Sequence, residues 1–129
     1  MLTYEEFKDI VEEELELLPE YVYKELNGGV LVEEYTYMHP ARVADDLYIL
    51  GIYSVDPILG KQIRLYYGSF MATMGYRSIE DIRLQVRDTV RHEFLHHLET
   101  NAGLFGKGTL IEEDRDRMRT YYMRHREID

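Results

Sequence analysis

Between Ser78 and Thr100 the chain contains neither glycine nor proline, and its apolar residues recur at helical spacing. Ser78 ahead of Glu80 and Asp81 marks a helix start, with a side-chain oxygen at the cap position and acidic residues in the first turn. The pattern predicts one long helix that runs to Thr100 or just beyond and stops near Asn101-Ala102-Gly103. With His92 set at 0° and about 100° per residue, Ile79, Ile82, Val86, Val90 and Phe94 fall between about 80° and 200°. They form one apolar face, and the rest of the chain has to cover it.

The same helix carries His92-Glu93-Phe94-Leu95-His96-His97, which reads H-E-x-x-H. Residues four apart on a helix are neighbours, about 5–6 Å between Cβ atoms, so two imidazoles can reach one metal ion. His92 and His96 lie on a polar stripe that borders the apolar face, at 0° and about 40°. Glu93, near 100°, tucks under the apolar side, where partial desolvation raises a carboxyl pKa towards base duty. Zinc takes neutral nitrogen ligands near 2 Å and, when catalytic, keeps a position open for water. A carboxylate beside that water can take its proton as it attacks a peptide carbonyl. The spacing supplies two ligands and a base, and leaves a third ligand to be found. Val90, Phe94, Leu95 and Leu98 are uncharged, where a solvated helix face would more often carry charge.

Upstream, Thr3-Tyr4-Glu5-Glu6 is a capping box that opens an amphipathic helix. Phe7, Ile10, Val11, Leu15 and Leu18 form its inner face, and Pro19 ends it. A short helical segment over residues 21–26 meets a stop at Asn27-Gly28-Gly29. Residues 30–37, 47–53 and 62–67 read as three strands, with a turn around Asp56-Pro57 and Gly60 between the last two. Residues 70–74 are expected to form one helical turn. At the C-terminus Arg115, Arg117, Arg119, Arg124 and Arg126 interleave with Glu112, Glu113, Asp114 and Asp116, which predicts a helix with salt-bridged exposed faces. No repeat or linker divides the chain, so one domain over residues 1–129 is expected. Helix, strands, motif helix and terminal helix in that order point to the α+β class.

The formal charge of −10 is unevenly placed: residues 1–60 hold 14 Asp/Glu against 3 Lys/Arg, and residues 61–129 hold 11 against 12. An acidic half disfavours binding to a nucleic-acid backbone and suits solubility or, alternatively, basic peptides. Cysteine is absent, which excludes disulfides, thiol catalysis and Cys-ligated zinc. The N-terminus has no leader pattern, and no apolar run approaches the roughly 18 residues of a membrane span. A soluble cytoplasmic protein is expected, a monomer without membrane or nucleic-acid partners.

In several stretches the chain resembles the small bacterial zincin-like metallopeptidases, sometimes called minimal zincins. The resemblance rests on Tyr4-Glu5-Glu6-Phe7, Leu17-Leu18-Pro19-Glu20, Leu50-Gly51-Ile52-Tyr53, residues 63–68 and above all residues 85–97, where the doubled histidine after H-E-x-x is typical of that family. It implies a zincin-like fold, with a small mixed sheet packed on the motif helix and helices at both ends. It implies zinc held by His92 and His96, Glu93 as general base, and peptides or unfolded proteins as substrates. By analogy with zincins, residues 62–67, with Ile63, Leu65 and Tyr66, would be the edge strand that pairs with substrate. The alternative reading is a metal-binding or interaction module on the same scaffold, without turnover.

The third ligand is where this sequence departs from the family pattern. Many members follow the second histidine with His-Phe-Gly and a nearby acidic ligand; here His97-Leu98-Glu99 stands instead. The position six after His96 is Ala102, which cannot ligate. A segment with Gly103, Gly106 and Gly108 follows, then Glu112-Glu113-Asp114. Matching the acidic cluster favours Asp114, with Glu113 next, then Glu112 and Glu99. Absence of any third protein ligand is also open. Glu99, about 4.5 Å along the axis from His96, better suits an outer role, holding a ligand histidine's second nitrogen. His97, near 140°, reads as a core-edge histidine, and His39 and His125 as surface residues. Most of the 12 tyrosines should pack with wet hydroxyls; Tyr35, Tyr37, Tyr66 and Tyr67 fall on strands.

Overall fold

The computed structural model describes residues 1–104 and 108–128, the last two of these as backbone only. Gly106 lies outside the described residues. The capping box forms as expected: the Thr3 hydroxyl accepts from the Glu6 amide at 3.1 Å, and Glu6 accepts from the Thr3 amide at 2.9 Å. Helix α1 (Tyr4–Glu16) follows, then a single 3-10 turn (Glu20–Tyr23). Next come strands β1 (Gly29–Glu33), β2 (Gly51–Asp56) and β3 (Gly60–Tyr66). Helix α2 (Tyr67–Met74) leads into the long α3 (Ile79–Asn101), and α4 (Leu110–Ile128) ends the chain. The result is an α+β protein with a three-stranded mixed sheet. Among the described residues no helix is long and apolar enough to cross a membrane.

The apolar faces of α1 and α3 meet each other and the sheet. Phe7, Ile10 and Val11 from α1 and Ile82, Val86, Val90 and Phe94 from α3 share one core with Ile63, Leu65 and Phe70. Each of these large side chains is nearly sealed from water, a burial worth about 1.5–3 kcal/mol apiece. Ile79 is the exception to the expected face: as the first residue of α3 it lies beyond the core and is exposed.

Sheet order is β1-β3-β2, with β1 parallel and β2 antiparallel to β3. This corrects the expected role of residues 62–67. Strand β3 is central, so its backbone groups are spent on both neighbours and Ile63 and Leu65 are fully buried. Tyr66 points to the opposite face, under the rings of Tyr35 and Tyr37 at 5.5 and 4.9 Å, and burial pushes its pKa up to about 12. None of Ile63, Leu65 or Tyr66 can pair with a substrate strand. Among the described residues β2 pairs only with β3, so its outer edge is open. The hairpin joining β2 to β3 turns where expected: Asp56 accepts from the amides of Ile58 and Leu59, and Gly60 takes φ 82°.

Two strands are shorter than their β-rich sequence suggests. The run over 30–37 leaves the sheet after Glu33, and the run over 47–53 changes partner part-way. Residues 37–39 pair with 47–49 through Ile49 N to Tyr37 O at 2.8 Å and His39 N to Leu47 O at 2.9 Å, and the chain bonds to β3 only from Leu50 onwards, just ahead of β2. Gly68 lets α2 start against this excursion, since a Cβ there would lie 2.5 Å from the Thr36 nitrogen and 2.7 Å from the Tyr35 carbonyl carbon.

One buried carboxylate joins the two core helices. Glu14 on α1 is 4% exposed and accepts from Arg87 Nε at 2.6 Å and Arg83 Nη1 at 3.4 Å. The Arg87 hydrogen bond, set against burial, holds its carboxyl below the ordinary value. Arg87→Ala leaves this charge with Arg83 alone and should cost about 2 kcal/mol in urea unfolding near neutral pH. A lowered folded pKa gives stability that is present above the unfolded value, about 4.3, and lost as pH falls through the folded one. The gap between the wild type and Arg87→Ala should therefore narrow in acid.

Candidate metal centre

Helix α3 is fixed at both ends. The Ser78 hydroxyl accepts from the Asp81 amide at 3.1 Å, and Gly103 with φ 71° stops the chain beyond Ala102. Between them His92 and His96 lie one turn apart, ring centroids 4.9 Å and planes 80° from parallel. Asp114, in the second turn of α4, meets both. Its Oδ2 is 2.8 Å from His96 Nε2 and its Oδ1 is 3.5 Å from His92 Nε2. The ligand atoms of the three residues lie within 4.8 Å of one another.

Burial alone would raise the Asp114 pKa, but the two imidazoles outweigh it and hold the carboxyl well below the usual range. Arg117, one turn further on, adds a contact to Asp114 Oδ1 at 3.2 Å. The Asp114 hydrogen bond in turn pushes His92 up against the opposite pull of burial. Glu93 is 6% exposed, and desolvation raises its pKa, as its position under the apolar face predicts. The imidazoles of His92 and His96 act the other way on it.

The other candidates lie elsewhere. Glu113 is exposed and, among the described residues, reaches only Arg117, at 3.9 Å. Glu112 accepts from the Gly108 amide at 2.6 Å. Glu99 does not hold a ligand histidine; its Oε2 accepts from the Leu110 amide at 3.1 Å. Leu110 opens α4, where amides lack helical partners and the dipole favours an acid, so Glu99 sets where Asp114 lands.

Residues of β2, α3, α4 and the 37–49 excursion line one cleft of about 620 Å³ that contains His92, Glu93, His96 and Asp114. Tyr48, Tyr53 and His39 line it as well, whereas Tyr35, Tyr37, Tyr66 and Tyr67 do not. His39 therefore faces the cleft, and His125 also departs from the surface reading. His125 Nε2 lies 2.8 Å from Asp46, which accepts from Tyr121 at 2.9 Å, and Tyr121 in turn accepts from the Val43 amide at 2.8 Å. These contacts tie α4 to the excursion that walls the cleft. No spacing rule could pair residues so far apart in sequence.

The donor set fits zinc. A tetrahedral ion with bonds of 2.0–2.2 Å places its donors roughly 3.3–3.6 Å apart; the His92–Asp114 separation of 3.5 Å falls in that range, and the His96–Asp114 separation of 2.8 Å is shorter. Fold and donors define an α+β protein with a candidate metal centre. A solved structure, a conserved hypothetical protein from Thermus thermophilus, is similar to it with a TM-score of 0.67 at 34% identity, over 78% of this chain and 98% of that one. The chain belongs to the same family as that protein. No protein-family model and no curated protein matches the chain.

Proposed function

We propose that the protein is a zinc-dependent metallopeptidase on a zincin-like scaffold, working on short or unfolded peptides in the cytoplasm. The observation that carries this reading is the convergence of His92, His96 and Asp114 beside a buried Glu93 in one open cleft. His92, His96 and Asp114 would hold the ion. Zinc bound there supplies a Lewis acid that polarises a carbonyl and lowers the pKa of water.

The chain's own groups do the rest. Glu93, with its affinity for a proton raised by burial, takes one from the attacking water and returns it to the leaving amine. The open edge of β2 offers backbone groups that align an extended peptide along the cleft, the role expected of residues 62–67. Asp114 stays ionised beside Arg117, and Glu99 fixes the start of the helix that carries it.

Zinc-loaded protein should cleave unstructured peptides, lose the activity on chelation and regain it with added zinc. Protein that retains one zinc per chain yet cleaves nothing in a broad peptide library would overturn the peptidase reading and leave a metal-binding module.

A further inference from the structure

Tyr53 grips α3 close to the proposed base. The hydrogen bond from Tyr66 N to Leu50 O, 2.9 Å, sets the alternation of the β2–β3 ladder. Hydrogen-bonded pairs recur at every second residue, so the intervening pair of Tyr53 with Ile63 turns its backbone groups away from each other. The Tyr53 amide therefore faces outward, away from β3, and Tyr53 and Glu93 line the same cleft. Its phenol meets His97 Nδ1 at 2.9 Å, with the rings 5.3 Å apart.

His97 is fully buried, and its Nε2 lies 2.7 Å from the Lys24 carbonyl. A carbonyl only accepts, so Nε2 carries a proton and Nδ1 accepts from the Tyr53 hydroxyl. The chain of bonds runs Tyr53 to His97 to Lys24 and ties β2 to α3 one turn beyond Glu93. One turn before Glu93, Gly51 lets the same strand approach: a Cβ there would stand 2.8 Å from Thr89 Cγ2. The strand is thus set against α3 on both sides of the base. An apolar pair would pack there without desolvating polar groups, so the polar chain contributes a fixed geometry.

On the metallopeptidase reading, we infer that Tyr53 and His97 are positioning residues, which hold β2 against α3 on both sides of Glu93 and so fix the cleft wall beside the proposed base. Tyr53→Phe removes the hydroxyl and keeps the ring and the amide. In zinc-loaded protein it should lower kcat by about 10–100-fold, with KM and zinc per chain unchanged. Unchanged kcat, or a loss of zinc along with activity, would overturn the inference.

A second arm does not depend on turnover. In zinc-free protein, exchange of the buried His97 Nε2 proton should speed at least about tenfold in Tyr53→Phe. Exchange at Ile52, whose amide faces β3, should stay as in the wild type. Unchanged exchange at His97, or acceleration at both His97 and Ile52, would overturn the inference. If the wild type cleaves nothing, the peptidase reading fails and this arm alone decides the positioning role.

Discussion

Glu93→Gln should lower kcat by about 10²–10⁴-fold, the usual contribution of a general base, while zinc per chain stays at the wild-type level. Gln keeps the shape of the side chain and its place under the apolar face of α3, but it cannot take a proton. Glu93 is almost sealed from water, and desolvation already raises its pKa, so the wild-type group is suited to accept and return one. It lies outside the set of His92, His96 and Asp114, so metal content should be indifferent to the change. Zinc analysis beside steady-state cleavage of an unstructured peptide checks both halves. Activity retained with zinc retained would remove Glu93 from the mechanism.

Asp114→Ala should weaken zinc binding by more than the roughly 10–100-fold that losing an outer-shell partner costs. Among the described residues only this carboxylate approaches both imidazoles, at 2.8 and 3.5 Å. Glu113 is its neighbour in sequence, yet it is exposed and, among the described residues, reaches only Arg117. Glu113→Ala should bind zinc like the wild type. Competition titration with a chromophoric chelator separates the two. Equal affinities for Asp114→Ala and the wild type would remove the third ligand from the account.

Much of this was legible locally. Capping at Thr3 and Ser78 and the apolar spacing of Phe7, Ile10, Val11 and Ile82, Val86, Val90 define α1 and α3 within a few residues, because a helix makes its bonds with itself. His92, Glu93 and His96 share one turn of that helix, so their juxtaposition needs no knowledge of the fold. Asp114 sits 18 residues beyond His96, on another helix, and was reached only through family resemblance.

The sheet was less legible, for a physical reason. Val30, Val32 and Ile63 announce strands, but nothing in a strand's own residues says which neighbours it takes. Strand β3 therefore read as an edge although it is central, and the run over 47–53 concealed a change of partner at Leu50. Long-range polar pairs were hidden in the same way. Glu14 looks like any acid on α1 until Arg87 is placed beside it. Glu99 looks like an outer ligand until the first turn of α4 arrives with a free amide.

On the proposed function, His92, His96 and Asp114 together hold one zinc ion. Anomalous diffraction at the zinc edge, from crystals grown with one equivalent of zinc, tests it most directly. The expected result is a single strong peak about 2.0–2.2 Å from a ring nitrogen of His92, a ring nitrogen of His96 and a carboxylate oxygen of Asp114. No peak in the cleft, or a peak ligated without Asp114, would contradict it.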